Sequence, residues 1–355
     1  MKTAVTTLDP MIFEIIESDM NPPAQTEVMI RVKACGICGS DLHAYRDPSH
    51  WLSPDAGWKS GRVLGHEIAG EVVEQGAGVR RFEIGDHVTL QPRLFCGECA
   101  ECRTGRTEIC QQSNGLFGGE LPGGFSEYLT VPQENLFRIS DSVDFAVAAL
   151  AEPLAVAVHG HRVAAQLDST RPTYGERVLV LGSGPIGLMS TFYAKQSGAS
   201  EVIATYRYPQ QRDAALLLGA TQVFHSEDEE GLESFCESVP VDSVIETVGG
   251  SADTAALACR LVRRGGRVVI LGVFSRSVMI PAHVILSKQL RVAGTVFYSY
   301  VGFKHDYELA VELLENNTDR MSALITHRVS LQDAGNGIKL AGDKASGAIK
   351  VTIQP

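Results

Sequence analysis

No apolar run in the 355 residues reaches the roughly 18 that a bilayer-spanning helix needs, so a membrane-embedded helical protein is excluded. Positive charge is also scarce. Lys and Arg number 31 against 42 Asp and Glu, and the formal charge of -11 would repel a polyphosphate backbone unless the basic residues clustered, which they do not. Nucleic acid is therefore not an expected partner. A secretory signal is missing from the start, MKTAVTTLDPMIFEIIE, where Asp9, Pro10 and Glu14 break the apolar stretch, and the expected location is the cytoplasm. There is no internal repeat and no Ser/Pro-rich linker. The eight cysteines do not suggest a disulfide framework: four fall between residues 96 and 110, and the chain is long enough to bury a core without bridges. Metal binding is the better reading. The 35 glycines are scattered over many turns, as many short strands require.

Two patterns divide the chain. From residue 26 to about 138, short β-rich runs (EVMIRVKA, AGEVVEQG, GDHVTL, FSEYLTV, ENLFRI) alternate with turn residues and predict a strand-rich, partly barrel-like domain. Residues 144–166 are alanine-rich with helical periodicity, and Pro153 is expected to end or kink a helix near Glu152. Beyond it, strands (RVLVL, EVIATY, DSVIETV, RVVILGV, LRVAGTVF) alternate with helices, the mark of parallel βαβ units. The final GAIKVTI reads as a strand able to pair back into the first domain. The expected fold is α/β, with a first domain at 1–152, a dinucleotide-binding doubly wound domain at 153–294, and a return segment at 295–355.

Three constellations carry chemistry. Cys96, Cys99, Cys102 and Cys110 form C-x2-C-x2-C-x7-C in a lobe (about 93–113) with few apolar side chains. Four thiolates so spaced can wrap a tetrahedral zinc ion whose binding supplies the missing folding energy; with no position left open, such a site is structural. Iron–sulfur runs differ in spacing, and buried or redox thiols are the plainer alternative. The second set is dispersed: Cys38 in CGICGSDLH, His66 and Glu67 in GHE, and Glu152 in AEP. Singly each is a common core residue. Together, Cys, His and carboxylate are the mixed set that a catalytic zinc with a replaceable ligand requires. Third, Gly182, Gly184, Pro185, Ile186 and Gly187 make a G-x-G-x-x-G between a strand and a helix, placed to hold a pyrophosphate. The acidic residue expected about twenty residues on, for a ribose 2′-hydroxyl, is absent. Tyr206, Arg207 and Tyr208 stand there, with Arg212 a turn later. Arginine there can neutralise a 2′-phosphate, favouring NADP over NAD; the plain alternative is an exposed arginine at a strand end.

With these sets in one order, the sequence resembles the zinc-containing medium-chain alcohol and polyol dehydrogenases, a group including sorbitol, butanediol and threonine dehydrogenases. The motifs CGICGSDLH, GHE, CGECAEC, GGFSEY, AEPLAVAVH and LGSGPIG carry the likeness, which spans essentially the whole length. The resemblance implies a GroES-like catalytic domain beside a Rossmann domain. It implies Cys38, His66 and Glu67 as ligands of a catalytic zinc, with Glu152 in the fourth ligand position, and the four-cysteine lobe as a second, structural zinc. Glutamate at 152 is the polyol branch's choice and weighs toward a polyol, sugar, cyclitol or amino-alcohol substrate. It further implies proton acceptance by Ser40 and transfer through ribose hydroxyls to His43 as hydride passes to nicotinamide. Val273, Phe274, Phe297 and Tyr298 match family segments near the nicotinamide, and relatives are homodimers or homotetramers.

The residues at 44–62 depart from a compact loop and hold both tryptophans, Trp51 and Trp58, which could wall a substrate cleft or anchor the loop. Two other readings remain open on the same fold: a zinc-free enoyl or quinone reductase, and a non-catalytic nucleotide-binding protein. Neither has a use for Cys38, His66 and Glu152 together.

Overall fold

A computed structural model describes residues 1–7, 9, 12–46, 60–170, 173–301 and 303–355. Trp51 and Trp58 lie outside the described residues. The chain divides into two compact units, Met1–Glu152 with Gly302–Pro355, and Pro153–Val301.

The first unit is built on a seven-stranded sheet. Its path runs Ile325–Ser330, Lys350–Gln354, Glu27–Gly36, Glu67–Gln75, His87–Leu90 and Leu136–Arg138, with Tyr128–Pro132 pairing separately with Glu27–Gly36. Val28, Ile30 and Val32 pack on Ile68, Val72, Val88 and Leu90 in one apolar core, which Val351 and Ile353 join from the far end of the sequence. The return is thus covalently distant but shares the core. Asp144 fastens it further: it caps the helix Phe145–Ala148 and takes two hydrogen bonds from Arg328, at 3.1 and 2.8 Å. These bonds hold its carboxyl below the ordinary range, against the upward push of partial burial. A hairpin of Lys2–Thr6 and Phe13–Glu17, not apparent in the sequence pattern, forms a separate two-stranded sheet.

The second unit holds a six-stranded, wholly parallel sheet in the order Gln222–His225, Glu201–Tyr206, Arg177–Leu181, Val241–Glu246, Val262–Ile270, Arg291–Gly294. In order of appearance this is 3-2-1-4-5-6, the doubly wound dinucleotide-binding topology. Alternate residues feed opposite faces. Leu179, Ile203, Val244 and Val268 pack with Leu232, Ala258 and Leu261, whereas Val178, Val180, Val202, Ile245 and Val269 pack with Ala164 and Ala194. Both faces are buried, which is why these strands read as continuous apolar runs.

The helical stretch is interrupted as expected: the helix Phe145–Ala148 ends and a new one, Ala151–Leu167, begins, with Pro153 third in its first turn, where a missing N–H leaves no intrahelical bond unmade. The segment GSDLH after Cys38 opens the helix Gly39–Arg46. No helix among the described residues is long and apolar enough to cross a membrane.

Candidate active site

Strand ends assemble the dispersed set. The strand Glu27–Gly36 runs directly into Cys38, and Gly36 pairs with Glu67, the first residue of the antiparallel neighbour, so His66 and Glu67 arrive beside Cys38. Donor atoms of Cys38, His66 and Glu67 all lie within 4.8 Å of one another. Register alone does not suffice. A Cβ on Gly36 would stand 2.0 Å from Glu67 Oε2, so this position has to be glycine for the carboxylate to turn inward.

A residue that sequence reasoning missed completes the cluster. Lys350, at the start of the last strand, is 2% exposed and donates from Nζ to both carboxylate oxygens of Glu67 at 2.6 Å and to the carbonyl of Ile37 at 3.2 Å. The signal was present in GAIKVTI, a lone lysine inside an apolar strand. Asp41, also buried, accepts from the Cys38 backbone N–H at 2.9 Å. Glu152 is 3% exposed at the start of its helix; its charge acts on His66 and Lys350, but it is not among the three residues whose donor atoms fall within 4.8 Å.

The electrostatics are those of a cation site. Burial opposes a charged His66, yet the Cys38 thiolate and the Asp41 and Glu152 carboxylates raise it well above the usual imidazole range. Burial also pushes Asp41 up, as it does Cys35, where Asp41 and Glu67 add to the effect. Beside the Cys38 thiol, the carboxyls of Asp41, Glu67 and Glu152 bear on this volume, and a divalent cation there would relieve the negative charge that Lys350 offsets in part. A sulfur, an imidazole nitrogen and carboxylate oxygens suit zinc.

Ser40 and His43 lie three residues apart in the helix Gly39–Arg46, on one face, and both are half-buried.

The four-cysteine lobe is assembled differently. Cys96 Sγ lies 3.9 Å from Cys102 Sγ and 3.6 Å from Cys110 Sγ. A tetrahedron of zinc–sulfur bonds of ~2.3 Å has edges of about 3.8 Å, so the sulfurs stand at the spacing such an ion demands. Backbone N–H groups of Glu98 and Cys99 point at Cys96 Sγ at 3.4 and 3.3 Å, and that of Cys96 points at Cys110 Sγ at 3.4 Å. The helix Ala100–Arg103 buries no residue, leaving little apolar packing to hold the lobe. The thiols are unequal: backbone N–H groups of Cys102 and Gln111 bring Cys99 down to about 6, while desolvation and neighbouring sulfurs push Cys102 up to about 12.

In the second unit the glycine loop leaves the strand Arg177–Leu181 and enters the helix Pro185–Gln196, whose N-cap Gly184 offers no side chain to the first N–H groups. A Cβ on Gly187 would be 1.9 Å from the Gly182 carbonyl oxygen, so the loop closes only with glycine there. Gly182 N–H and Ser183 Oγ bind Thr205 Oγ1 and O, each at 2.8 Å, tying the loop to the neighbouring strand. That strand ends at Tyr206. Gln211 Oε1 accepts from the backbone N–H groups of Arg207 and Tyr208 at 3.0 and 3.2 Å, and Arg212 pairs with Asp213 at 2.9 Å. Arg207 is exposed, and its guanidinium has no partner among the described residues. Val273 and Phe274 follow the strand Val262–Ile270, and Phe297, half-buried, has a positive φ of 61°.

Known proteins bear on these features. Residues 24–141 match the alcohol dehydrogenase GroES-like domain and residues 185–316 the zinc-binding dehydrogenase domain. The chain is 32% identical to a sorbitol dehydrogenase of Bacillus subtilis over 334 residues, 93% of this chain and 90% of that protein. It is 31% identical to an L-threonine 3-dehydrogenase of Deinococcus radiodurans over 338 residues, 94% of this chain and 93% of that one. Among solved structures, a protein described as a zinc-binding dehydrogenase of Sinorhizobium meliloti 1021, bound to NADP, superposes with a TM-score of 0.86 at 31% identity, covering 100% of both chains.

Proposed function

Since the chain belongs to the zinc-type medium-chain dehydrogenase family and is an alcohol or polyol dehydrogenase, we propose that it interconverts a secondary alcohol and its ketone, with NADP as the preferred nicotinamide. The substrate class is a polyol, sugar, cyclitol or amino alcohol. The observation carrying this reading is the convergence of Cys38, His66 and Glu67 within 4.8 Å, a sulfur, nitrogen and oxygen donor set of the kind that holds zinc.

In this reading Met1–Glu152 with Gly302–Pro355 is the catalytic domain and Pro153–Val301 the dinucleotide-binding one. Cys38, His66 and Glu67 hold one zinc ion, with Glu152 facing the same site, and Cys96, Cys99, Cys102 and Cys110 hold a second, structural one. The first ion supplies a Lewis acid that makes an alcohol hydroxyl more acidic and polarises a carbonyl. Lys350 offsets the charge of Glu67 and so limits how much negative charge opposes removal of the hydroxyl proton. Ser40 Oγ accepts the hydroxyl proton and His43 passes it to solvent, since a hydroxyl can accept and donate and an imidazole can titrate near neutrality. The backbone N–H groups of the Gly182–Gly187 loop bind the pyrophosphate; Val273 and Phe297 serve the nicotinamide end. Tyr206, Arg207 and Arg212 face the adenosine ribose, and the exposed Arg207 guanidinium supports a 2′-phosphate there.

Self-association belongs to the same proposal. The strand Arg291–Gly294 stands at the edge of its sheet, and Met279 and Leu286, shortly before it in sequence, are 81% and 80% exposed. Light scattering giving a dimer or tetramer mass supports this; a monomer rejects it.

The decisive experiment is a screen of polyols, sugars, cyclitols and amino alcohols with NAD and NADP, followed at 340 nm alongside zinc analysis. Turnover with NADP and two zinc ions per chain is expected. A zinc-replete protein that binds NADP but oxidises nothing, and reduces none of the matching ketones, would reject the reading.

A further inference from the structure

The second unit buries a carboxylate that the scheme above leaves unused. Glu246 is the last residue of the strand Val241–Glu246 and is 0% exposed. Its Oε1 accepts three hydrogen bonds, from the N–H groups of Val248 and Gly249 at 2.8 and 3.0 Å and from Thr254 Oγ1 at 2.7 Å. Oε2 is buried without a hydrogen-bond partner among the described residues. It lies against Gly272, where a Cβ would stand 2.3 Å from it. The backbone carbonyl of Glu246 meanwhile accepts from Leu271 and Gly272 at 2.8 and 3.1 Å. One residue therefore organises two loops: its side chain folds 247–254 around itself, and its main chain and Oε2 set the path of 271–273.

Those loops then bind each other. Gly250 N–H donates to the Val273 carbonyl at 2.8 Å, Ser275 N–H donates to the Gly250 carbonyl at 2.9 Å, and Gly250 and Phe274 form a parallel bridge. Thr247 Oγ1 carries the connection to the glycine loop, donating to the Leu181 and Gly182 carbonyls at 2.8 and 3.3 Å. A doubly wound sheet binds a dinucleotide across the point where strand order reverses, which here falls between Arg177–Leu181 and Val241–Glu246. The adenosine side belongs to the strands ending at Leu181 and Tyr206. Loops 247–254 and 271–275 end the strands of the other half.

We propose that Glu246 is the positioning residue for the nicotinamide half of the dinucleotide, acting through the two loops it holds together. The inference rests on dinucleotide binding by this unit. A carboxylate suits the task because one of its oxygens can collect three donors, and only an acceptor lets Val248, Gly249 and Thr254 converge on one point.

The test compares a whole ligand with its adenosine half. NADPH and 2′-phospho-ADP-ribose are titrated into the wild type, Glu246→Ala, Glu246→Gln and Thr254→Val, with the fluorescence emission of bound NADPH recorded. In Glu246→Ala, NADPH affinity should fall about tenfold or more and the emission should shift toward that of free NADPH, while 2′-phospho-ADP-ribose binds within about twofold of wild type. Glu246→Gln keeps the carbonyl acceptor and should recover most of the NADPH affinity. Thr254→Val should show a smaller loss of the same selective kind, and it decides the matter if Glu246→Ala does not fold. Equal losses for both ligands, or none for either, overturn the positioning role. Failure of the wild type to bind NADPH and NADH alike instead overturns the dinucleotide reading itself.

Discussion

The four-cysteine lobe and the cluster at Cys38 gather metal-type donors in opposite ways. In the lobe, four sulfurs come from fifteen consecutive residues with almost no buried apolar side chain among them, so the ligands themselves are the structure. At Cys38, the donors are delivered by ends of strands that a large core already holds, and a buried lysine balances them. Loss of ligation should therefore unfold the first and disarm the second. The difference between a structural and a chemical site lies less in the ligands than in what holds them when no ion does.

The largest expected break is chemical. Cys38→Ser should reduce turnover by on the order of 10⁴-fold, roughly 5.5 kcal/mol, while the melting temperature moves little and NADPH still binds. Steady-state rates with parallel melts and titrations check this, and co-loss of folding would erase the contrast. Next comes the lysine. Lys350→Met leaves the Glu67 carboxylate buried and uncompensated, and should destabilise the first unit by about 3–5 kcal/mol in denaturant melts. A change near zero would mean that the pair contributes nothing to holding the cluster.

The lobe should respond to zinc rather than to substrate. Cys99→Ser should lower zinc content from two ions to one and cost stability without a selective loss of turnover by the remaining folded protein. The unequal thiols add a pH signature. Cys99, near 6, is already a thiolate at pH 7.5, but Cys102, near 12, must give up its proton when an ion binds. Zinc uptake should thus release protons and tighten as pH rises; calorimetry in two buffers of different ionisation enthalpy reads this directly, and a buffer-independent heat contradicts it. The smallest effect concerns the other unit. Arg207→Ala should weaken NADP by about 1–2 kcal/mol and leave NAD nearly unchanged, as competitive titration would show.

Much of the fold was legible because it depends on short-range pattern. Period-two apolar runs mark the first unit's strands, and alternating strand and helix segments mark the doubly wound sheet. Lys2–Thr6 and Phe13–Glu17 were not, since the outward residues of this hairpin include exposed Ile15 and Ile16 and no alternation separates the faces. Pro153 was informative because a proline is tolerated in the first turn of a helix but not further in, so it marks the break between Phe145–Ala148 and Ala151–Leu167. In the candidate site, Cys38, His66, Glu67 and the glycine loop could be singled out from local motifs. Glu246 could not, and Lys350 left only the mark of a lone lysine in the apolar run GAIKVTI. Each acquires its meaning only when strand register brings a distant partner alongside, and neither sits in a motif.

Because Lys350 belongs to a strand that follows the whole of the second unit in sequence, synthesis makes the first unit wait. Residues 153–301 are contiguous and can fold as they leave the ribosome, whereas the sheet bearing Cys38 and Glu67 lacks its closing strand until the chain has emerged past residue 350. During that interval the acidic cluster has no lysine opposite it. The nascent protein should pass through a stage with a finished nucleotide-type domain and an unfinished partner, and pulsed hydrogen exchange on stalled chains would detect it as late protection confined to the strands around Glu27–Gly36.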